Sequence, residues 1–280
     1  GGTSIMAIID KPSDYFETII WSGDSSSPEN FTVGFQPNLI WGKLRSTAYN
    51  HQLYDSVRGF GNNKDLQSSQ NTAEGGGTAD QYGYISGTTS TGFTATKGSD
   101  GGADGYGYWN ESGKTYVAWN WKAGTSFTND ASATGIGSID STGSVNTTSG
   151  FSVISYTGTA TNGTIAHGLG VAPSLIIIKN LSTAINWSVN SQPLNASLGD
   201  YTRYLTLDST GAVSGAGNTQ YQNSAFTSSV FNVGTNATTN GNGNSIIAYC
   251  FANVQGFSKS GIYTGNGNAD GPFTYLGFKP

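Results

Sequence analysis

The stretch GFQPNLIWGK at residues 34–43 decides the fold, because it returns as GVAPSLIIIK at residues 170–179. In each copy a Gly-x-x-Pro turn is followed by an apolar run that ends in lysine. Short apolar runs bounded by glycine and proline are typical of β-strands. Both ends of the stretch keep the same spacing of 136 positions (170 − 34 and 179 − 43). We therefore predict one structural unit that occurs twice.

Further matches support the repeat. The run YVAWNW at residues 116–121 corresponds to IIAYCF at residues 246–251, at a spacing of 130 positions (246 − 116). The shorter spacing indicates small loop deletions in the second copy. An aromatic residue followed by Ser or Thr and then Gly occurs three times, at residues 21–23, 156–158 and 263–265.

These matches divide the chain into segments. The predicted organisation is an N-terminal segment at residues 1–13, a first sandwich unit at 14–124, a Gly/Ser/Thr-rich linker at 125–149, a second unit at 150–254, and the opening strands of a third copy at 255–280. A second interpretation of the last segment is that its strands close a sheet of the preceding unit or of a neighbouring subunit, because unpaired strand edges accept such additions.

The composition favours sheet over helix. The chain has 280 residues, with 41 glycines, 7 prolines, 12% aromatic residues and only 10% charged residues. Aromatic and β-branched runs recur between clusters of Gly, Asn and Ser, and no apolar period of 3.6 persists over the length of a helix. We therefore predict an all-β fold of tandem β-sandwich units with minor helix.

Charge and hydropathy argue against several classes of partner. The formal net charge is −5 and no Lys/Arg cluster is present to neutralise phosphates, so nucleic acid is not an expected partner. No stretch approaches the ~20 apolar residues that span a bilayer, and the start lacks a signal-peptide pattern, so we expect no membrane insertion. The single cysteine, Cys250, cannot form an internal disulfide.

Residues suited to catalysis are sparse. The two histidines, His51 and His167, lie far from each other and from Cys250 in the sequence. A nucleophile and base would have to assemble from very few parts, so we expect packing or surface roles for these residues and no enzyme activity. A polysaccharide depolymerase is a third interpretation, and it would need two carboxylates that face one groove.

A Gly-rich segment holds the candidate binding residues Tyr106, Tyr108 and Trp109 beside Asp and Asn. Rings that stack on the apolar faces of sugars, with amides and carboxylates for the hydroxyls, would make this a glycan-binding site. The alternative is that the rings fill the sandwich core or an intersubunit seam, because Trp109 comes just before the strand at residues 116–121.

The same segment carries Asp100 and Asp104, which are candidates for a calcium site because carboxylates among glycines suit a flexible oxygen-ligand loop. The spacing does not match an EF-hand or a nonapeptide calcium repeat, and a solvated turn is the alternative. We therefore expect no cofactor, with calcium as the one candidate and no firm metal ligand.

Four repeated strings resemble a family of uncharacterised repeat domains in predicted tail fibres and other virion proteins of marine bacteriophages of the cyanophage type. They are GFQPNLIW at residues 34–41, DSVRG at 55–59, YVAWNWKAG at 116–124 and YTGNG at 263–267. The similarity runs along most of both units.

The resemblance implies that the tandem β-sandwich units are lectin-like (jelly-roll). It also implies a structural protein of the virion, an oligomeric tail fibre or surface appendage involved in host attachment, located on the virion or outside the cell. The partners it implies are further copies of the chain, other virion proteins and a host surface glycan. It brings no catalytic residues with it. A carbohydrate-binding, lectin-like adhesion module is the alternative function, since likeness of fold alone does not establish sugar binding.

Overall fold

Residues 9–279 are described by a computed structural model of the chain. Strands make up 33% of the structure and helices 9%, which confirms the predicted all-β fold with minor helix. No helix within this part of the chain is long and apolar enough to cross a membrane. Of the predicted N-terminal segment at residues 1–13, residues 1–8 lie outside the described part.

The elements within residues 9–279 are short and follow one another closely. The strands are β1 (Phe16–Ser22), β2 (Glu29–Thr32), β3 (Leu39–Leu44), β4 (Gln52–Asp55), β5 (Tyr84–Thr89), β6 (Gly92–Thr96), β7 (Thr115–Trp121), β8 (Thr125–Asn129), β9 (Ser141–Asn146), β10 (Phe151–Thr157), β11 (Gly163–Ala166), β12 (Leu175–Asn180), β13 (Ser188–Ser191), β14 (Leu205–Thr206), β15 (Val230–Val233) and β16 (Ser245–Phe251). The α-helices are α1 (Ala79–Tyr82), α2 (Ala131–Thr134), α3 (Gln192–Leu198) and α4 (Ala237–Asn240), and 3-10 turns lie at Pro12–Asp14 and Asp104–Tyr106.

The first unit is a sandwich of two antiparallel sheets. One sheet has the strand order β1-β7-β3-β4 and the other has the order β2-β6-β5. Alternate side chains of β3 and β4 point between the sheets, where Ile40 and Tyr54 pack with Phe93 and Trp109. Gly42 permits this packing, because a Cβ at that position would collide with the Trp109 ring.

The second unit repeats this arrangement. Its strands β10-β16-β12-β13 lie in the same order as β1-β7-β3-β4, and the sheet β11-β15 corresponds to β2-β6. The registers also agree, because Leu39 faces Trp121 in the first unit and Leu175 faces Phe251 in the second. The repeated sequence therefore produces repeated strand pairing.

The two units pack sheet against sheet. Side chains of β3 and β4 that point away from the first core, among them Leu39 and Leu53, meet Val153, Ile177 and Trp187 of the second unit. The sheet of the first unit thus has a core on each face, which explains why all four residues of β4 are buried. A third core lies between the large sheet of the second unit and β11-β15.

The predicted linker at residues 125–149 is wrong, because this segment belongs to the second sheet. β8 pairs with β9 and β9 pairs with β10, so the sheet has seven strands in the order β14-β13-β12-β16-β10-β9-β8. Phe127 and Val145 pack on the core of the second unit, while alternate hydroxyl side chains face away from it. Helix α2 connects the two strands, and Asp130 caps it by accepting a hydrogen bond from the Ala133 N–H.

The predicted strands at residues 255–280 are not formed in the part that the structure describes. Ser258 makes one bridge to Val254, and no strand follows it up to residue 279. Large apolar side chains stay exposed there, 72% for Tyr263 and 91% for Phe273. The matching strands β1 and β10 are ordered by pairing with β7 and β16, and residues 9–279 contain no third strand of that kind.

Candidate functional site

The predicted glycan-binding residues Tyr108 and Trp109 are core residues, 3% and 2% exposed. The Tyr108 hydroxyl accepts a hydrogen bond from Gln67 at 3.2 Å and shares another with Thr78 at 2.6 Å. The Trp109 ring packs edge-on against Phe93. A stacking platform for sugars at these two rings is therefore wrong, and the alternative that they fill the core is right.

Tyr106 is the one member of this trio that reaches the surface, and it is half-buried. The Lys97 ammonium lies 5.1 Å from the centre of its ring, a cation–π contact that occupies one ring face. Without the other two rings, Tyr106 offers too little apolar surface for a sugar platform.

The calcium candidates Asp100 and Asp104 lie on an exposed loop. The Asp100 carboxylate accepts a hydrogen bond from the Gly101 N–H at 2.8 Å. Within residues 9–279 no three His, Cys, Asp or Glu residues come together as a possible metal site. The arrangement gives the calcium interpretation no support beyond the sequence pattern.

Both histidines have packing roles. The His51 Nδ1 atom accepts a hydrogen bond from the Trp41 indole at 2.9 Å. His167 is buried, and its Nδ1 atom accepts a hydrogen bond from the Leu169 N–H at 3.1 Å. Burial lowers the pKa of both imidazoles, so both are neutral at pH 7.

A buried charge network joins the two units. The Arg58 guanidinium contacts the Asp55 carboxylate at 2.5 Å and Glu74 at 3.0 Å, and the Arg58 and Asp55 side chains are almost fully buried. The Tyr249 hydroxyl of β16 donates a hydrogen bond to the same Asp55 oxygen as Arg58, at 2.8 Å. The contact between Tyr249 and Asp55 makes a polar link through the core between the units.

The loop between β4 and α1 is also anchored on the second unit. The Trp187 indole donates hydrogen bonds to the carbonyls of Gln67 at 3.0 Å and Gln70 at 3.1 Å. The Lys179 ammonium donates to the carbonyl of Asn71 at 3.2 Å, and burial lowers the pKa of Lys179 to about 8. Lys179 ends the second copy of the fold-deciding stretch, and it holds this loop rather than facing solvent.

Asp65 is a buried acidic residue of the same loop. Its side chain is buried, and neither carboxylate oxygen has a hydrogen-bond donor among the residues described. Burial raises its pKa from 3.8 to about 6. Between about pH 4 and pH 6, Asp65 is therefore protonated in the folded chain and ionised in the unfolded chain. The free energy of unfolding falls as the pH rises through this range.

Asp65→Asn is expected to remove this penalty. An uncharged isostere needs no proton, so we expect the free energy of unfolding to rise by about 3 kcal/mol at pH 7.5 and to stay unchanged at pH 4. Urea denaturation at both pH values measures the difference. Asp104→Asn, on the exposed loop, is the control, and an equal gain from both variants would contradict the assignment.

A cleft between the two units has a volume of about 810 Å³. The first unit contributes the turn at residues 34–38, Ser56 and the β5–β6 turn at Ser90. The second contributes the outward faces of β8 and β9. Sequence reasoning missed this site because one wall is the segment that was predicted to be a linker.

Asn38 fixes the floor of the cleft. Its side-chain oxygen accepts a hydrogen bond from the Ala123 N–H at 2.8 Å, and its amide donates to Ser56 at 2.9 Å and Ser144 at 3.4 Å. Asn38 is buried, so these bonds hold both walls at a set distance. Asn38 directly follows Pro37 in the first copy of the fold-deciding stretch. The sequence pattern did not indicate that its side chain bonds to both walls of the cleft.

The β8–β9 wall carries a grid of hydroxyl groups. Ser126 faces Ser144 across the two strands, and Thr128 faces Thr142. The hydroxyls of Ser126, Thr128 and Thr142 form no hydrogen bond with any other residue in the described range, so they are free to bind a polar ligand. None of the residues lining the cleft is Asp or Glu, so the pair of carboxylates that the depolymerase interpretation needs is not found among them.

The fold and the cleft define the class, a two-unit all-β sandwich protein with a polar cleft between its units. The chain belongs to the family described as Domain of unknown function (DUF7483), whose model matches residues 11–280. No curated protein and no solved structure matches the chain.

Proposed function

We propose that the chain is a structural protein of a phage particle, an oligomeric tail fibre or surface appendage that takes part in host attachment. The resemblance of the repeated strings to virion proteins gives the setting. The observation that carries the proposal is the C-terminal segment at residues 259–279, which has the sequence of sandwich strands but pairs with no sheet in the described chain.

The exposed side chains of this segment favour assembly. Ile262 and Tyr263 are 50% and 72% exposed, and Phe273 and Tyr275 are also exposed. Soluble monomers rarely leave several large apolar side chains uncovered along one segment, because burying each stabilises by about 1.5–3 kcal/mol. Strand addition to a second copy of the chain, or to another virion protein, would cover them.

Light scattering of the native protein, with electron microscopy of the same sample, tests this proposal. We expect a defined oligomer or filament, and we expect Ile262→Ser with Phe273→Ser to shift it towards the monomer. Leu198→Ser is the matched control, because Leu198 is an exposed leucine on α3 in the second unit. A monomer at all concentrations, or equal loss of assembly in the control, would overturn the proposal.

The cleft favours a second function, that of a carbohydrate-binding adhesion module. Its free hydroxyls match the donors and acceptors of sugar hydroxyls, and its volume is that of a small-molecule site. The two functions are compatible, since an appendage that attaches to a host must recognise something on the host surface. A panel of bacterial surface glycans tests the second function, and binding to no member would count against it.

A further inference from the structure

We propose that the cleft between the units binds an acidic saccharide, with the Lys122 ammonium pairing with a sugar carboxylate and the β8–β9 hydroxyls binding the neighbouring hydroxyl groups. The proposal rests on the carbohydrate-binding function and names the ligand class.

Lys122 gives the cleft its charge. It is the one charged residue among those that line the cleft, in a chain with a net charge of −5. Its backbone N–H donates to the Tyr15 carbonyl at 2.9 Å, which fixes its position at the end of β7. Its ammonium has no ion-pair or hydrogen-bond partner within residues 9–279, so an anionic ligand would meet an unneutralised cation.

The hydroxyl grid supplies the remaining contacts. Neighbouring strands lie about 4.8 Å apart and alternate residues about 6.8 Å apart, so the four positions on β8 and β9 form a rectangle of that size. Donors and acceptors at such spacing suit a ligand with several hydroxyl groups on one face. Thr128 and Thr142 are exposed and face each other across the strands, so we expect them to contribute to any sugar bound there.

The cleft is held open for a ligand rather than closed by its own side chains. A Cβ at Gly34, which has φ +100°, would meet no atom within 4 Å. The positive φ requires glycine here, so the wall stays without a side chain. A volume of about 810 Å³ accommodates several sugar rings.

Isothermal titration of the full chain with tetramannuronate and with neutral cellotetraose tests the proposal. We expect tetramannuronate to bind at least tenfold more tightly at 50 mM salt, and we expect this preference to shrink as salt rises. Lys122→Met should lower affinity for the uronate at least tenfold, a larger loss than for cellotetraose. Thr128→Val with Thr142→Val should weaken both ligands.

Matched controls separate recognition from folding. Lys11→Met and Thr18→Val remove a lysine ammonium and an exposed strand hydroxyl outside the cleft, so we expect neither to alter binding. Every variant should keep the thermal midpoint of the parent protein. Equal binding of both ligands, unaffected by Lys122→Met, would overturn the acidic-saccharide assignment and leave carbohydrate binding standing. Binding of neither ligand, together with a negative surface-glycan panel, would overturn both.

Discussion

Arg58→Met is expected to lower the free energy of unfolding by about 3–5 kcal/mol, because it leaves the buried Asp55 carboxylate without its cation. Asp55 is fully buried, and it would keep only the Tyr249 hydroxyl and two backbone N–H donors. Glu74 would keep Lys64, at 3.1 Å, so the loss falls mainly on Asp55. Equilibrium denaturation in urea at pH 7 measures the change.

Two further variants make the Arg58 result interpretable. Lys11→Met removes an exposed pair with Asp14, and we expect a change of at most about 1 kcal/mol. Asp55→Asn combined with Arg58→Met removes both charges, and we expect it to be more stable than Arg58→Met alone. A loss from Arg58→Met as small as that from Lys11→Met would contradict a buried, uncompensated Asp55.

The repeat could be predicted because local sequence patterns identify the strands. The stretch at residues 34–43 becomes β3 and its second copy at residues 170–179 becomes β12, with the turn before each strand as expected. Apolar runs between glycine and proline identify strands whatever their partners are. The repeat predicted two like units but not which strands pair. The structure shows the same order in both, β1-β7-β3-β4 and β10-β16-β12-β13.

The strands β8 and β9 could not be predicted, because their sequence is small and polar. Their Ser, Thr and Gly residues match a linker in composition, and only Phe127 and Val145 reach a core. Strands of an antiparallel sheet with one face away from the core need few apolar residues, so composition alone cannot separate them from a loop. The cleft was missed for the same reason, because these two strands form its hydroxyl-bearing wall.

Two of the three predicted binding residues, Tyr108 and Trp109, lie in the core although the sequence around them suggests a surface loop. Tyr108 and Trp109 lie among glycines and acidic residues that suggest a surface loop, yet both rings point into the first core. The signal that could have placed Trp109 lies far away in sequence, at Gly42, where the absence of a side chain makes room for an indole ring. A single sequence does not say which distant glycine faces which ring.

Trp187→Ala is expected to lower the free energy of unfolding by about 3–5 kcal/mol, the range for removing a buried tryptophan from a core. Trp187 has no exposed surface, and it packs in the core between the units while its indole holds Gln67 and Gln70. Both the cavity and the loss of these two hydrogen bonds weaken the contact between the units. Urea denaturation followed by circular dichroism measures the change.

Trp187→Phe separates the two contributions. Phenylalanine retains most of the apolar contact but cannot donate to the two carbonyls, so we expect a smaller loss, mainly the cost of leaving those acceptors without the indole donor, about 1–3 kcal/mol. Trp119→Phe is the control, since Trp119 is only partly buried and lies on β7. Because the Trp187 indole holds the carbonyls of Gln67 and Gln70, we expect Trp187→Ala to show earlier amide exchange in the loop at residues 67–71. A variant as stable as the parent would show that the two units are held together elsewhere.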